Sequence, residues 1–267
     1  MIGFVGTGRM GTAIVESLHR TLPAESIVLY DRIVERADDL ARRTGAKRAS
    51  NVAELVRSST EIFLCVKPQD IAGALAEMRG TEGRLVVSIA AGVPTRYIEG
   101  KLPPGTRVVR VMPNTPCLIG AGASVVFRGS SATPADAARV VSLLSALGVC
   151  LELDEKHANA VTALSGSGPA FVYLVLEALS DGGVMAGLPR DIAQKLAAQT
   201  LIGGARMAAE TGKHPGQLKD EVTSPGGTTI QGLKALEDRG VRGALIEAVR
   251  AAWQRAEEIS LHFEERK

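Results

Sequence analysis

Six residues near the start of the chain, Gly6-Thr7-Gly8-Arg9-Met10-Gly11, have the types and spacing to hold a pyrophosphate. In such a pattern the first glycine allows a tight turn, the second lets backbone approach the phosphates, and the third lets a helix pack on a strand. Met1–Val5 reads as a strand and Gly8–Arg20 as a helix, and the helix start would add free N–H groups and the positive end of its dipole. About twenty residues further on, Asp31 closes the second expected strand, where an acidic side chain accepts hydrogen bonds from the ribose hydroxyls of NAD. Arg32 follows at once and Arg36 comes a helical turn later; guanidinium groups there suit the 2′-phosphate of NADP, or are simply solvated helix-start residues. The two signals oppose each other. A carboxylate on a flexible turn can swing to solvent, so the balance is expected to favour NADP(H), with NAD(H) also accepted.

Three further turns follow expected strands: Val66-Lys67-Pro68-Gln69, Ser88-Ile89-Ala90-Ala91-Gly92-Val93 and Val111-Met112-Pro113-Asn114-Thr115-Pro116. Ligands of an open α/β sheet bind beyond the carboxyl ends of its strands. The small residues Ala90, Ala91 and Gly92 leave room for a flat ring, while Asn114 and Thr115 can hydrogen-bond an amide. Two polar, glycine-rich clusters lie later, Leu164-Ser165-Gly166-Ser167-Gly168-Pro169-Ala170 and Val222-Thr223-Ser224-Pro225-Gly226-Gly227-Thr228-Thr229-Ile230. The backbone N–H groups and hydroxyls of the second would suit a carboxylate. Read locally, the same stretch is also an ordinary helix start capped by Thr228 or Thr229.

These residues need a scaffold, and the pattern supplies one. Up to about residue 154 short apolar runs alternate with amphipathic helical stretches, which argues a parallel sheet wrapped in helices. From 155 onward no strand is expected, and helix follows helix. Pro169–Ala186 is apolar on nearly every face, which in so small a domain points to burial against a second subunit. Val241, Leu245, Ala248, Ala252, Ala256, Ile259 and Phe263 form one stripe on a last helix. Ala158–Leu176 carries no charge, but its Asn, Thr, Ser, Gly and Pro residues fit a helix buried in protein better than one in lipid.

Hydrophobic residues make up 45% of the 267, enough for a sizeable core, while aromatics are only 3%, so that core must be aliphatic. The net charge of +2 comes without a basic block, which argues against a nucleic-acid partner. Cys65, Cys117 and Cys150 form no C-x-x-C motif, so neither a disulfide framework nor a metal site is expected. With no charged and apolar leader before Ile2-Gly3-Phe4, a cytoplasmic location is the expectation.

Taken together, the glycine fingerprint, V-K-P-Q, S-I-A-A-G-V, V-M-P-N-T-P, L-S-G-S-G-P-A and the run His214–Ile230 closely resemble the pyrroline-5-carboxylate reductases, essentially end to end. The resemblance implies a Rossmann-like α/β domain at 1–154, an all-α dimerisation and substrate domain at 155–267, and a homodimer interlocked through the C-terminal helices. In some members five dimers form a decamer. The implied reaction reduces 1-pyrroline-5-carboxylate to L-proline by hydride transfer from NAD(P)H. The implied substrate contacts are Ser224 and the backbone around Gly226, Gly227 and Thr228, with the Thr229 hydroxyl at the ring nitrogen as the catalytic contact. The implied cofactor contacts are Gly6, Thr7, Gly8, Arg9, Met10, Gly11, Asp31, Arg32, Val66, Lys67, Pro68, Ala90, Ala91, Gly92, Pro113, Asn114 and Thr115. Family members often carry an Asn-Arg or small polar pair where this chain has Asp31-Arg32, which leaves the choice of cofactor open. A β-hydroxyacid dehydrogenase shares the two-part layout but needs a lysine soon after the Gly166–Ala170 stretch, and none occurs before Lys195. A non-catalytic nucleotide-sensing dimer would have no need of the His214–Ile230 run.

Overall fold

Short branched-aliphatic runs form the strands and amphipathic stretches the helices between them. The computed structural model describes residues 1–264. In chain order it has β1 (Ile2–Val5), α1 (Arg9–His19), β2 (Ile27–Tyr30), α2 (Val34–Thr44), β3 (Lys47–Arg48), α3 (Val52–Ser58), β4 (Glu61–Leu64), α4 (Ile71–Glu77), β5 (Leu85–Ser88), α5 (Thr95–Lys101), β6 (Arg107–Met112), β7 (Gly122–Arg128), α6 (Pro134–Leu144) and β8 (Gly148–Glu152). The strands form an eight-stranded sheet in the order β3-β2-β1-β4-β5-β6-β7-β8. Strands β1 to β6 run parallel, β7 runs antiparallel to β6, and β8 runs parallel to β7. The winding reverses at β1, from β2 and β3 on one side to β4 on the other, and such a reversal opens a crevice above the carboxyl ends of the strands.

Helices cover both faces of the sheet, so its strands are apolar on both sides. Phe4 and Phe63 point to one face and stack with ring centroids 4.9 Å apart. With Val87, Val109 and Val111 they share a core with Ile14, Leu40 and Val140 of α1, α2 and α6. Val5, Ile62, Leu64, Val86 and Val108 point the other way, into a core with Leu55, Ile71, Leu75 and Ile98 of α3, α4 and α5. Helix ends follow local chemistry. The Asn51 side chain accepts from Glu54 N to start α3, a reciprocal Thr133–Asp136 capping box starts α6, and Gly45 at φ +72° ends α2.

The rest is helical: α7 (Ala158–Val161), a π turn (Thr162–Gly166), α8 (Gly168–Met185), α9 (Arg190–Thr211), α10 (Pro215–Glu221), α11 (Thr228–Asp238) and α12 (Val241–Glu264). Strands give way to helices after 154, but the compact units divide elsewhere. One comprises Met1–Ser167 with the chain from Ala252 onward, the other Gly168–Ala251. Residues 265–267, the end of the expected helical domain, lie outside the described residues. Within the first unit the end of α12 is well packed. Phe263 meets Tyr97 edge to face at 5.2 Å, and Ser260 Oγ donates to Asn159 Oδ1 at 2.9 Å.

The second unit buries little of itself. In α8 and α9 only Ser180, Ala193 and Ala197 are buried, whereas Leu174 is 67% and Met185 89% exposed. The expected burial of α8 on all sides is thus absent from a single chain. Apolar surface of this kind marks contact with another molecule.

Candidate functional site

Only three residues separate β1 from α1, so the chain turns sharply there. Gly6 takes φ +98°, and a Cβ there would lie 2.6 Å from the Cys65 carbonyl oxygen. A Cβ at Gly11 would lie 2.4 Å from the Gly6 carbonyl oxygen. Strand packing and helix packing therefore each demand a glycine. Gly8 differs, since nothing stands within 4 Å of its Cβ position. It is also the N-cap of α1 without any side-chain cap, so the first N–H groups of that helix keep their capacity for an anion.

Asp31 holds this loop in place. Thr7 donates to its Oδ2 from the backbone N at 2.7 Å and from Oγ1 at 3.1 Å, while Ile33 N donates to its Oδ1 at 2.9 Å. The carboxylate is buried and committed on both oxygens. It does not swing to solvent as the sequence suggested, because the turn that carries it is tied to the glycine loop.

A cavity of about 410 Å³ opens beside the loop. It brings together the expected Gly6, Gly8, Asp31, Arg32, Val66 and Lys67, along with Arg36. Asp70, Gly73, Ala74 and Glu77 also line it and were missed, since no motif marks them beyond their place after V-K-P-Q. Arg32 Nη2 stands 3.7 Å from Asp70 Oδ1 at the exposed rim, where such a pair contributes little. The other expected residues of this region do not line the cavity. Thr7 is buried against Asp31, Met10 packs on the core, Gly11 is buried, Arg9 is exposed, and Pro68 begins a short 3₁₀ turn. Burial pushes the Cys65 thiol up, and that of Cys150 up to about 11, so both stay protonated at neutral pH.

The turns after β4, β5 and β6 share one edge because those strands are parallel. Ala90 is buried and Ala91 exposed. Gly92 takes φ +75°, and a Cβ there would lie 2.5 Å from Ile259 Cγ2, so α12 explains this glycine. Pro113 is half-buried and Thr115 exposed. The Asn114 amide is partly taken by the protein. Its Nδ2 donates to Ser165 O at 3.1 Å and its Oδ1 accepts from Ala123 N at 2.8 Å.

In the helical unit Gly227 N donates to Ser224 O at 3.1 Å across Pro225 and Gly226, the latter at φ +66°. Proline second and a left-handed glycine third make a type II turn. Helix α11 then starts with Gly227 as N-cap and no side-chain cap, so neither Thr228 nor Thr229 caps it. Ser224, Gly226 and Thr228 are exposed and Gly227 and Thr229 half-buried; the Thr229 hydroxyl makes no hydrogen bond among the described residues. His214 caps α10 by accepting from Gly216 N at 3.1 Å.

Over 262 residues, 97% of each chain, this sequence is 44% identical to the pyrroline-5-carboxylate reductase of Methanosarcina acetivorans. The chain belongs to the pyrroline-5-carboxylate reductase family. The reductase of Arabidopsis thaliana is 43% identical, over 97% of this chain and 95% of its own. Residues 155–259 match the family profile for pyrroline-5-carboxylate reductase dimerisation, and 1–92 the profile for NADP oxidoreductase, coenzyme F420-dependent. Among solved reductases, that of Coxiella burnetii superposes with a TM-score of 0.91 at 35% identity, over 97% of this chain and 98% of that one. That of Plasmodium falciparum, solved with NADP bound, gives 0.86 at 31%, over 97% of both.

The dimerisation region of the reductase family contains the exposed helices described above, which therefore pack in an oligomer. It also takes in Glu155–Met185, a run among the described residues long and apolar enough to cross a membrane by length and composition. In a reductase those apolar faces have a protein partner.

Proposed function

We propose that this protein reduces 1-pyrroline-5-carboxylate to L-proline with NAD(P)H, the last step of proline biosynthesis. The observation that carries the assignment is the uncapped start of α11 behind the Pro225-Gly226-Gly227 turn, in a chain of this family. It offers backbone donors to a carboxylate and, at the second residue of the helix, a hydroxyl with no hydrogen-bond partner among the described residues.

The residues of the first unit fit a dinucleotide. A Cβ at Gly8 would enter open space at the cavity wall, the N–H groups of α1 are uncapped, and Arg32, Arg36 and Lys67 are among the lining residues. Bound NAD(P)H supplies the hydride that reduces the imine carbon. The N–H groups of Gly226 and Thr228 hold the substrate carboxylate, while Gly227 N, given to Ser224 O, keeps the turn closed around them. Thr229 Oγ1 orients the ring nitrogen and steadies its proton. The proposed contacts include no charged side chain that serves as a general acid, so rate comes chiefly from orientation and proximity.

Thr229→Ala is expected to lower kcat about 10- to 100-fold, the equivalent of about 1–3 kcal/mol for a lost hydrogen bond to a buried group. Cofactor affinity should stay at the wild-type value. NAD(P)H oxidation under saturating and limiting cofactor checks both, and unchanged turnover with weakened cofactor binding would reverse the assignment.

NADP(H) is the proposed principal cofactor, with NAD(H) accepted. Arg32→Ala is expected to weaken NADPH about fivefold and spare NADH, as befits one exposed contact to a phosphate. Asp31→Ala is expected to weaken both cofactors, because it frees the Thr7 loop rather than only a ribose contact. Values of kcat/KM for each cofactor decide, and selective loss of NADH in Asp31→Ala would restore the ribose role.

We further propose a homodimer through the C-terminal helices as the working unit, with a decamer of five dimers as the higher assembly, in the cytoplasm and with no nucleic-acid or membrane partner. The three free cysteines and balanced charge support this setting.

A further inference from the structure

Asn114 joins three segments through one side chain. It sits just past β6, accepts from Ala123 N in β7, and donates to Ser165 O in the π turn Thr162–Gly166. The partners fix its orientation, because a backbone N–H only donates and a carbonyl only accepts. The π turn itself is closed by Ser167 N donating to Thr162 O at 2.9 Å. At α-helical spacing the donor for Ser165 O would be residue 169, which is proline and has no N–H. Asn114 supplies that donor from another element. The turn also presses on the strand, since a Cβ at Gly166 would lie 2.5 Å from Met112 Cε.

The place matters for the reduction assigned above, on which this inference rests. The cavity runs across the glycine loop from Asp31, Arg32 and Arg36, which follow β2, to Val66 and Lys67, which follow β4, so its arginines mark the β2 end. A dinucleotide with its adenosine there runs the other way with its nicotinamide, over the ends of β4, β5 and β6. The π turn is anchored at the end of β6, and single π turns inside helices recur at functional sites.

We propose that Asn114 is a positioning residue, which fixes the Ser165–Ser167 turn against the nicotinamide end of the crevice. Asn114→Ala removes both bonds, whereas Asn114→Asp keeps the acceptor for Ala123 N and loses the donor while ionised. Expected for Asn114→Ala is a fall in kcat of about tenfold, with binding of 2′,5′-ADP, an adenosine-end probe, within about twofold of wild type. For Asn114→Asp the same loss is expected at neutral pH. Its ratio to wild type should recover as pH falls to about 4 and below, where a carboxyl of ordinary pKa, about 3.9, regains an O–H for Ser165 O. Amide hydrogen exchange across 162–170 should quicken in both variants at neutral pH. Wild-type kcat in Asn114→Ala, a pH-independent loss in Asn114→Asp, or 2′,5′-ADP binding that falls in step with kcat would each overturn the proposal. A wild-type enzyme that binds 2′,5′-ADP but leaves the imine unreduced would instead overturn the reaction, and exchange at 162–170 would still decide whether Asn114 anchors the turn.

Discussion

Glu155→Ala is expected to destabilise the protein by about 3–5 kcal/mol, the typical result of stripping the partner from a buried charge. Arg110, on β6, has a side chain only 3% exposed, and its Nη1 donates to Glu155 Oε1 at 3.1 Å. Thr95 donates to the same carboxylate from its backbone N and its hydroxyl. The guanidinium lies 5.8 Å from the Phe127 ring centroid, and its Nη2 is buried with no hydrogen-bond partner among the described residues. Burial already holds the Arg110 pKa below its usual value, so Glu155 is what keeps a cation tolerable there. Glu155→Gln retains an acceptor and should cost less. Arg110→Met combined with Glu155→Gln should recover much of the loss, because a buried pair is seldom better than an apolar replacement. Urea midpoints of the single and double variants form the cycle that tests this. A loss under about 1 kcal/mol in Glu155→Ala would show that the cation does not depend on it.

The glycine loop yields the second large effect, and its glycines should fail differently. Gly11→Ala forces a methyl to 2.4 Å from the Gly6 carbonyl oxygen, so loop and helix must part. Overpacking of that kind costs about 1–3 kcal/mol, and a displaced loop should lower cofactor affinity by about 10- to 100-fold. Gly8→Ala meets no protein atom, so its melting temperature should match wild type. Its affinity should still fall, because the methyl occupies the approach of the pyrophosphate. Thermal melts beside NADPH titrations separate the two. Loss of stability in Gly8→Ala, or none in Gly11→Ala, would contradict the division of labour.

The glycine fingerprint was legible because backbone conformation and close approach admit one residue type. The parallel sheet was legible because strands buried on both faces leave uninterrupted apolar runs. The unpartnered faces of α8 were legible for the same reason, as an apolar surface that a single small domain cannot cover. Side-chain roles were less so. Asp31 shows itself in sequence as a carboxylate after a strand, but not that Thr7 and Ile33 already claim it. Asn114 reads as a hydrogen-bonding group in a ligand turn, while its partners, Ser165 and Ala123, are set by the tertiary fold. Gly92 answers to Ile259 on α12, far along the chain. The Arg110–Glu155 pair spans 45 residues and leaves no periodic trace.

The sparse burial within Gly168–Ala251 has a kinetic meaning. The sheet-bearing unit holds two aliphatic cores and can gain its stability from one chain. The helical segment cannot, since most of its apolar area has no cover until another molecule arrives. Its consolidation is therefore bimolecular, and the time to reach a fully folded enzyme shortens as protein concentration rises. During synthesis the first unit can form while the helices wait, exposed, for an encounter, so this half of the chain is where crowding, chaperones and self-association compete.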